Sequence, residues 1–132
     1  MLSIEDFKAD SYAGSFSAKF RLDDHEVIIR LKGADLSFFP FFNFASILQV
    51  LENAPLRISE ELLADKNGDW RKPGEAEISN DQFVRKLRLL ELNLFPDQQL
   101  ELFYDDGGLF WGHTVVARFD GEGKMLYATI AG

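Results

Sequence analysis

From Ser15 to Leu22 the chain reads SFSAKFRL, apolar at every second position. Phe16, Ala18, Phe20 and Leu22 therefore share one face, and Ser17, Lys19 and Arg21 the other. A period of two marks a half-buried strand. VIIRLK at 27–32 repeats it with Val27, Ile29 and Leu31. The intervening DDHE makes the pair a β-hairpin, with Asp23, Asp24 and His25 expected at its tip.

The period then changes. In PFFNFASILQVLEN, Phe41, Phe44, Ala45, Leu48 and Leu51 recur at helical spacing, and Pro40 suits a first helical position, where its missing N–H would have no partner. This predicts a helix from about Pro40 to Glu52. Pro55 is expected to break the chain. ISEELLADKNG then supplies a second, shorter helix with Ser59 as N-cap, Glu60 and Glu61 at the positive end of its dipole, and Asn67 and Gly68 at its end. A third helix, from about Asn80 to Arg88, opens with a capping box of Ser79 and Gln82 flanked by the hydrophobic staple Ile78 and Phe83. In the polar connection GDWRKPGEAE, Trp70 is too large to leave in water and is expected to be pinned against the core.

The last third returns to period two. LELNLF sets Leu90, Leu92 and Leu94 on one face, and LELFY sets Leu100, Leu102 and Tyr104 on one face. HTVVARF and MLYATIA follow, joined by the turn DGEGK. Four strands with short connections read as an antiparallel meander. The expected architecture is one α+β domain over 1–132: an antiparallel sheet of about six strands, made of the N-terminal hairpin and the four-strand meander, with three helices inserted between and packed on one face.

Composition agrees with a folded domain. Apolar residues are 46% of 132, with 13 phenylalanines, against 27% charged. A net charge of -8 repels the phosphate backbone, so no nucleic-acid partner is expected. Zero cysteines exclude disulfides, thiol catalysis and cysteine-ligated zinc, which suits a reducing cytoplasm. The acidic N-terminus, with Glu5, Asp6 and Asp10, is not a secretory signal, and no apolar run is long enough to span a bilayer. A cytoplasmic protein without membrane association is expected.

Chemistry concentrates in YDDGGLFWGH, residues 104–113. Tyr104 is expected to end one strand and His113 to begin the next, so Asp105, Asp106 and His113 fall within one loop, where two carboxylates and an imidazole can bind a divalent metal or divide acid and base roles. The competing structural reading uses Asp and Gly as turn formers, folds Phe110 and Trp111 back over the sheet, and lets His113 bond a turn carboxylate. DDHE at 23–26 repeats the acidic-plus-histidine theme, and His25 and His113 would share a metal only if the loops met. FFPFFNF has Phe38, Phe39, Phe41, Phe42 and Phe44, too many for one helical face to bury; Phe41 and Phe42 are the candidate contact residues. The basic cluster Arg71, Lys72, Arg85, Lys86 and Arg88 reads as a solvated face. Nucleophile-elbow, phosphate-loop, dinucleotide and HExxH motifs are missing.

The segment from EISNDQF to FDGEGKMLYATIAG, with its acidic turn YDDGG and block LFWGH, resembles a bacterial family known only as domain of unknown function twenty-two sixty-two. The resemblance implies a bacterial protein; the family has no assigned activity, so it transfers no catalytic residue. Small size, acidity and surplus phenylalanine point to a non-catalytic protein-binding module, immunity- or antitoxin-like, needing no cofactor, with Phe41, Phe42, Asp105, Asp106, Trp111 and His113 as its contacts. The alternatives are a small metal-dependent hydrolase centred on Asp105, Asp106 and His113, and a self-associating structural domain.

Overall fold

The computed structural model describes residues 6–9, 15–22, 24–33 and 44–132. Seven strands and two helices follow one another as β1 (Lys8–Ala9), β2 (Ser15–Leu22), β3 (His25–Lys32), α1 (Phe44–Asn67), α2 (Asn80–Lys86), β4 (Arg88–Leu94), β5 (Leu100–Asp105), β6 (Thr114–Phe119) and β7 (Met125–Ala131). All seven strands lie in one sheet in the order of the sequence.

The two predicted groups of strands are both present. β2 and β3 pair antiparallel from Ser15↔Lys32 to Leu22↔His25, so His25 is the first residue of a strand and not part of the tip. β4 to β7 form the antiparallel meander. The two groups join through a parallel pairing of β3 with β4, in register from Ile28↔Glu91 to Leu31↔Leu94. This corrects the expected all-antiparallel six-stranded sheet to a mixed sheet of seven. The cause is the helical insertion: a connection carrying helices can return the chain to the same end of the sheet, and parallel neighbours need such a crossover.

Among the described residues the helices are two, not three. Pro55 lies inside α1 and does not end it. Ile47, Ala54, Ile58 and Leu62 are all buried, at helical spacing on both sides of the proline, and this unbroken stripe against the sheet outweighs the one backbone hydrogen bond that proline removes. Ser59, expected as an N-cap, is wholly buried mid-helix instead, where its hydroxyl donates to Asn80 Oδ1 at 2.5 Å and ties α1 to the start of α2. The capping box of α2 forms as the sequence indicates. Gln82 N–H donates to Ser79 Oγ at 3.2 Å, Ser79 N–H donates to Gln82 Oε1 at 2.8 Å, and Phe83 is fully buried. Residues 40–43, where the first helix was expected to start, lie outside the described residues, as do Phe38, Phe39, Phe41 and Phe42.

Val27, Ile29, Leu31, Leu92, Leu94, Leu100, Leu102, Val115, Ala117 and Phe119 form one face of the sheet and, with the buried stripe of α1, make the core. Leu90 does not join Leu92 and Leu94 there. It is 42% exposed, and Leu89 is buried in its place, because the register shifts between Leu89 and Glu91 and the extra residue of that bulge points away. The opposite face mixes Ile28, Phe103 and the buried Val116 with charged pairs: Arg30 pairs with Glu91, Arg118 Nη1 donates to Glu101 Oε2 at 3.3 Å, and the Arg118 guanidinium lies 4.0 Å from the centre of the Phe95 ring.

Candidate functional site

The loop 106–113 is built around one carboxylate. Asp106 is 1% exposed, and its two oxygens accept the backbone N–H groups of Gly108 (2.9 Å), Phe110 (2.8 Å) and Gly112 (3.0 Å). The chain curls around it because Gly107, Gly108, Trp111 and Gly112 all adopt positive φ, between 59° and 90°. Glycine takes that conformation freely, whereas a tryptophan takes it at a cost. Gly107 is fixed a second way, since a Cβ there would meet Lys86 O at 2.3 Å. The sequence signal of two Asp followed by two Gly thus encodes a loop closed on its own backbone, and a cation at Asp106 would have to displace three amide donors.

The neighbouring candidates are placed differently. Asp105 ends β5 as an exposed residue and accepts Gly107 N–H at 3.3 Å. His113 was expected to bond a turn carboxylate; with Asp106 saturated, its Nδ1–H instead donates to Phe110 O at 2.7 Å. Among the described residues no three His, Asp or Glu side chains are gathered as a metal site would require.

What the loop presents outward is aromatic. Phe110 is fully buried, but Trp111, expected to fold over the sheet, is 52% exposed. Trp70 packs against the core as foreseen and is the hub of the group: its ring stands 5.5 Å from Phe110, 4.8 Å from Trp111 and 5.2 Å from His113, each edge-on. Phe110 reaches Phe83 of α2 at 5.9 Å, so the indole of Trp111 stands on a packed base. Sequence reading missed the link between Trp70 and this loop, because forty residues separate them and no local pattern pairs them.

The fold also brings the two acidic-plus-histidine stretches together, though not through His113. Asp24 and His25, at the start of β3, share a cleft with Tyr104 and Asp105 at the end of β5. His25 is clamped: Nε2–H donates to Leu89 O at 2.8 Å, and Nδ1 lies 3.2 Å from Asp24 Oδ1. That contact, helped by the Arg88 charge, holds the exposed Asp24 carboxyl below its ordinary value. Tyr104 is 3% exposed, and burial pushes its phenol well above the usual tyrosine range. Of the basic cluster read as a solvated face, Arg71 pairs with Glu77, while Arg85, Lys86 and Arg88 line this cleft.

These features define an α+β protein with a mixed seven-stranded sheet, one face covered by helices, and a self-closed acidic loop carrying an exposed indole. The chain belongs to the family of uncharacterised proteins conserved in bacteria (DUF2262), whose profile matches residues 4–130, well beyond the C-terminal block that carries the visible resemblance. No curated protein and no solved structure matches the chain. Among the described residues no helix is long and apolar enough to cross a membrane.

Proposed function

We propose that this protein is a non-catalytic module that binds another protein, acting in the manner of an immunity or antitoxin factor. The supporting observation is Trp111. A half-exposed indole, held on a loop whose every turn is fixed by Asp106 and backed by Trp70, loses little conformational freedom on binding, and buried aromatic anchors of this kind dominate interface energetics. The net charge of -8 favours a basic partner. Phe41 and Phe42 remain proposed contacts outside the described residues, and Asp105 and His113 flank the indole in sequence. Stoichiometric capture of a partner by the wild type, lost on Trp111→Ala with the fold retained, is the expected result; equal capture by both overturns the role given to Trp111.

A second reading, self-association, draws on β7. Among the described residues this strand pairs only with β6 and so ends the sheet, and its seven residues MLYATIA include no charge and no proline, the features that usually protect an edge. Two copies pairing antiparallel about Ala128 would set Tyr127 against Thr129 and Leu126 against Ile130 without opposing charges. Sedimentation velocity tests it. A dimer that Thr129→Lys dissociates supports the reading, and a monomer at about 100 μM, the concentration scale of weak association, overturns it.

A further inference from the structure

We infer that the cleft between β3, the middle of α1, the end of α2 and the end of β5 binds a small organic anion, with its charged head among Arg85, Lys86 and Arg88. The inference does not rest on the protein-binding reading, whose anchor, Trp111, does not line this cleft.

Charge is the first ground. In a chain of net charge -8, three cations gather at one cleft, and among the described residues none of the three is in an ion pair. Arg85 and Lys86 sit in the last turn of α2, where its dipole favours cations, and Arg88 belongs to β4, beyond the reach of that explanation. Two carboxylates share the wall: Asp24 faces His25 Nδ1 at 3.2 Å and feels the Arg88 charge, and Asp105, which accepts Gly107 N–H, stands opposite Arg88 across the β4–β5 ladder. Three cations against two carboxylates leave the cleft an excess of positive charge for a ligand.

The interior of the cleft supplies the second ground. Tyr104 is buried to 3% exposure and lines the cavity, yet its hydroxyl has no partner among the described residues. Among the described residues the sealed side-chain polar atom without a partner is Asn93 Oδ1, so the Tyr104 hydroxyl meets the solvent of the cleft and is a donor open to what enters. Pro55 adds an acceptor. With no N–H at position 55, the Leu51 carbonyl lacks its helical donor, and both residues line the same cleft. Leu22, Leu87 and Leu89 complete an apolar wall, and the volume of about 460 Å³ falls within the range that holds a small molecule. A site with a cationic mouth, a hydroxyl, a carbonyl and an apolar wall fits an anion carrying an organic body better than a bare inorganic ion.

The test is an NMR titration of the ¹⁵N-labelled full chain with phenyl phosphate, run beside inorganic phosphate. Saturable shifts at His25, Arg88, Leu89 and Tyr104 are expected, with half-saturation near or below about 1 mM. Phenyl phosphate should bind more tightly than inorganic phosphate. Arg88→Gln, at an exposed position, should weaken binding about tenfold and Tyr104→Phe about threefold. Trp111→Ala should bind like the wild type. Linear, non-saturating shifts, or affinities unchanged by both substitutions, overturn the site. Phenyl phosphate binding no more tightly than inorganic phosphate overturns the role given to the apolar wall.

Discussion

The carboxylate of Asp106 accepts the backbone N–H of Phe110 at 2.8 Å from a position only 1% exposed, and this bond fixes a fully buried phenylalanine and an exposed tryptophan side by side. Because the same carboxylate also serves Gly108 and Gly112, Asp106→Ala strips three amides of their acceptor. Charge-assisted bonds of this kind put the loss at about 3 kcal/mol. Asp106→Asn should be nearly as harmful, since its NH₂ would face N–H donors. Urea unfolding of both variants checks this; a loss under about 1 kcal/mol for both would show that the loop is held by something else.

Gly107 makes the matching backbone case. Its φ of +59° disfavours any side chain, and a Cβ would press on the Lys86 carbonyl, which cannot yield without moving the end of α2. Gly107→Ala should cost about 3 kcal/mol, whereas Gly108→Ala, with open space around its Cβ, should cost only the conformational part, about 1 kcal/mol. Equal losses at the two positions would contradict the close contact.

Pro55 offers a stabilising change. Restoring an N–H to the Leu51 carbonyl within a helix that is continuous on both sides should raise stability by about 1–2 kcal/mol in Pro55→Ala. A rise in the unfolding midpoint is the expected outcome; a fall would mean that the proline ring packs in a way alanine cannot replace.

Acid should weaken the protein through Glu75. The Lys66 ammonium, 4% exposed, donates to Glu75 Oε1 at 2.9 Å and to Trp70 O at 2.8 Å. That bond first, and then the Lys72 N–H, hold the Glu75 carboxyl below its ordinary 4.5. A carboxyl depressed on folding stabilises the native state fully above its unfolded value and loses that contribution as pH falls through the folded one. Stability should therefore decline below about pH 4.5. Glu75→Gln should be less stable at neutral pH and decline less steeply in acid. Parallel pH curves for the two proteins would sink the assignment.

Local chemistry was legible in the sequence where neighbours in the chain are neighbours in space. The alternation of SFSAKFRL and VIIRLK gave the first hairpin, the Ser79–Gln82 box gave the start of α2, and the four strands of the meander followed from their spacing. Three features escaped for physical reasons. The parallel contact of β3 with β4 spans an insertion of more than fifty residues, and a period of two says nothing about which strand lies alongside. Proline is a local breaker, but the stripe Ile47, Ala54, Ile58 and Leu62 keeps helical spacing through it, and that signal was available beside the proline. The bulge that turns Leu90 outward depends on the partner strand. Within the candidate site, Asp106 was visible as a turn former, but the approach of Trp70 to Trp111 and of His25 to the end of β5 follows only from the assembled sheet.

The central claim, that Trp111 anchors a protein partner, is tested most directly by affinity capture with mass spectrometry from the bacterium that carries the chain, using the wild type, Trp111→Ala and Asp105→Asn/His113→Ala side by side. The expected result is one partner captured in stoichiometric amount by the wild type and lost with Trp111→Ala, while circular dichroism shows both folded. A partner retained by Trp111→Ala, or none captured by any of the three, would contradict it.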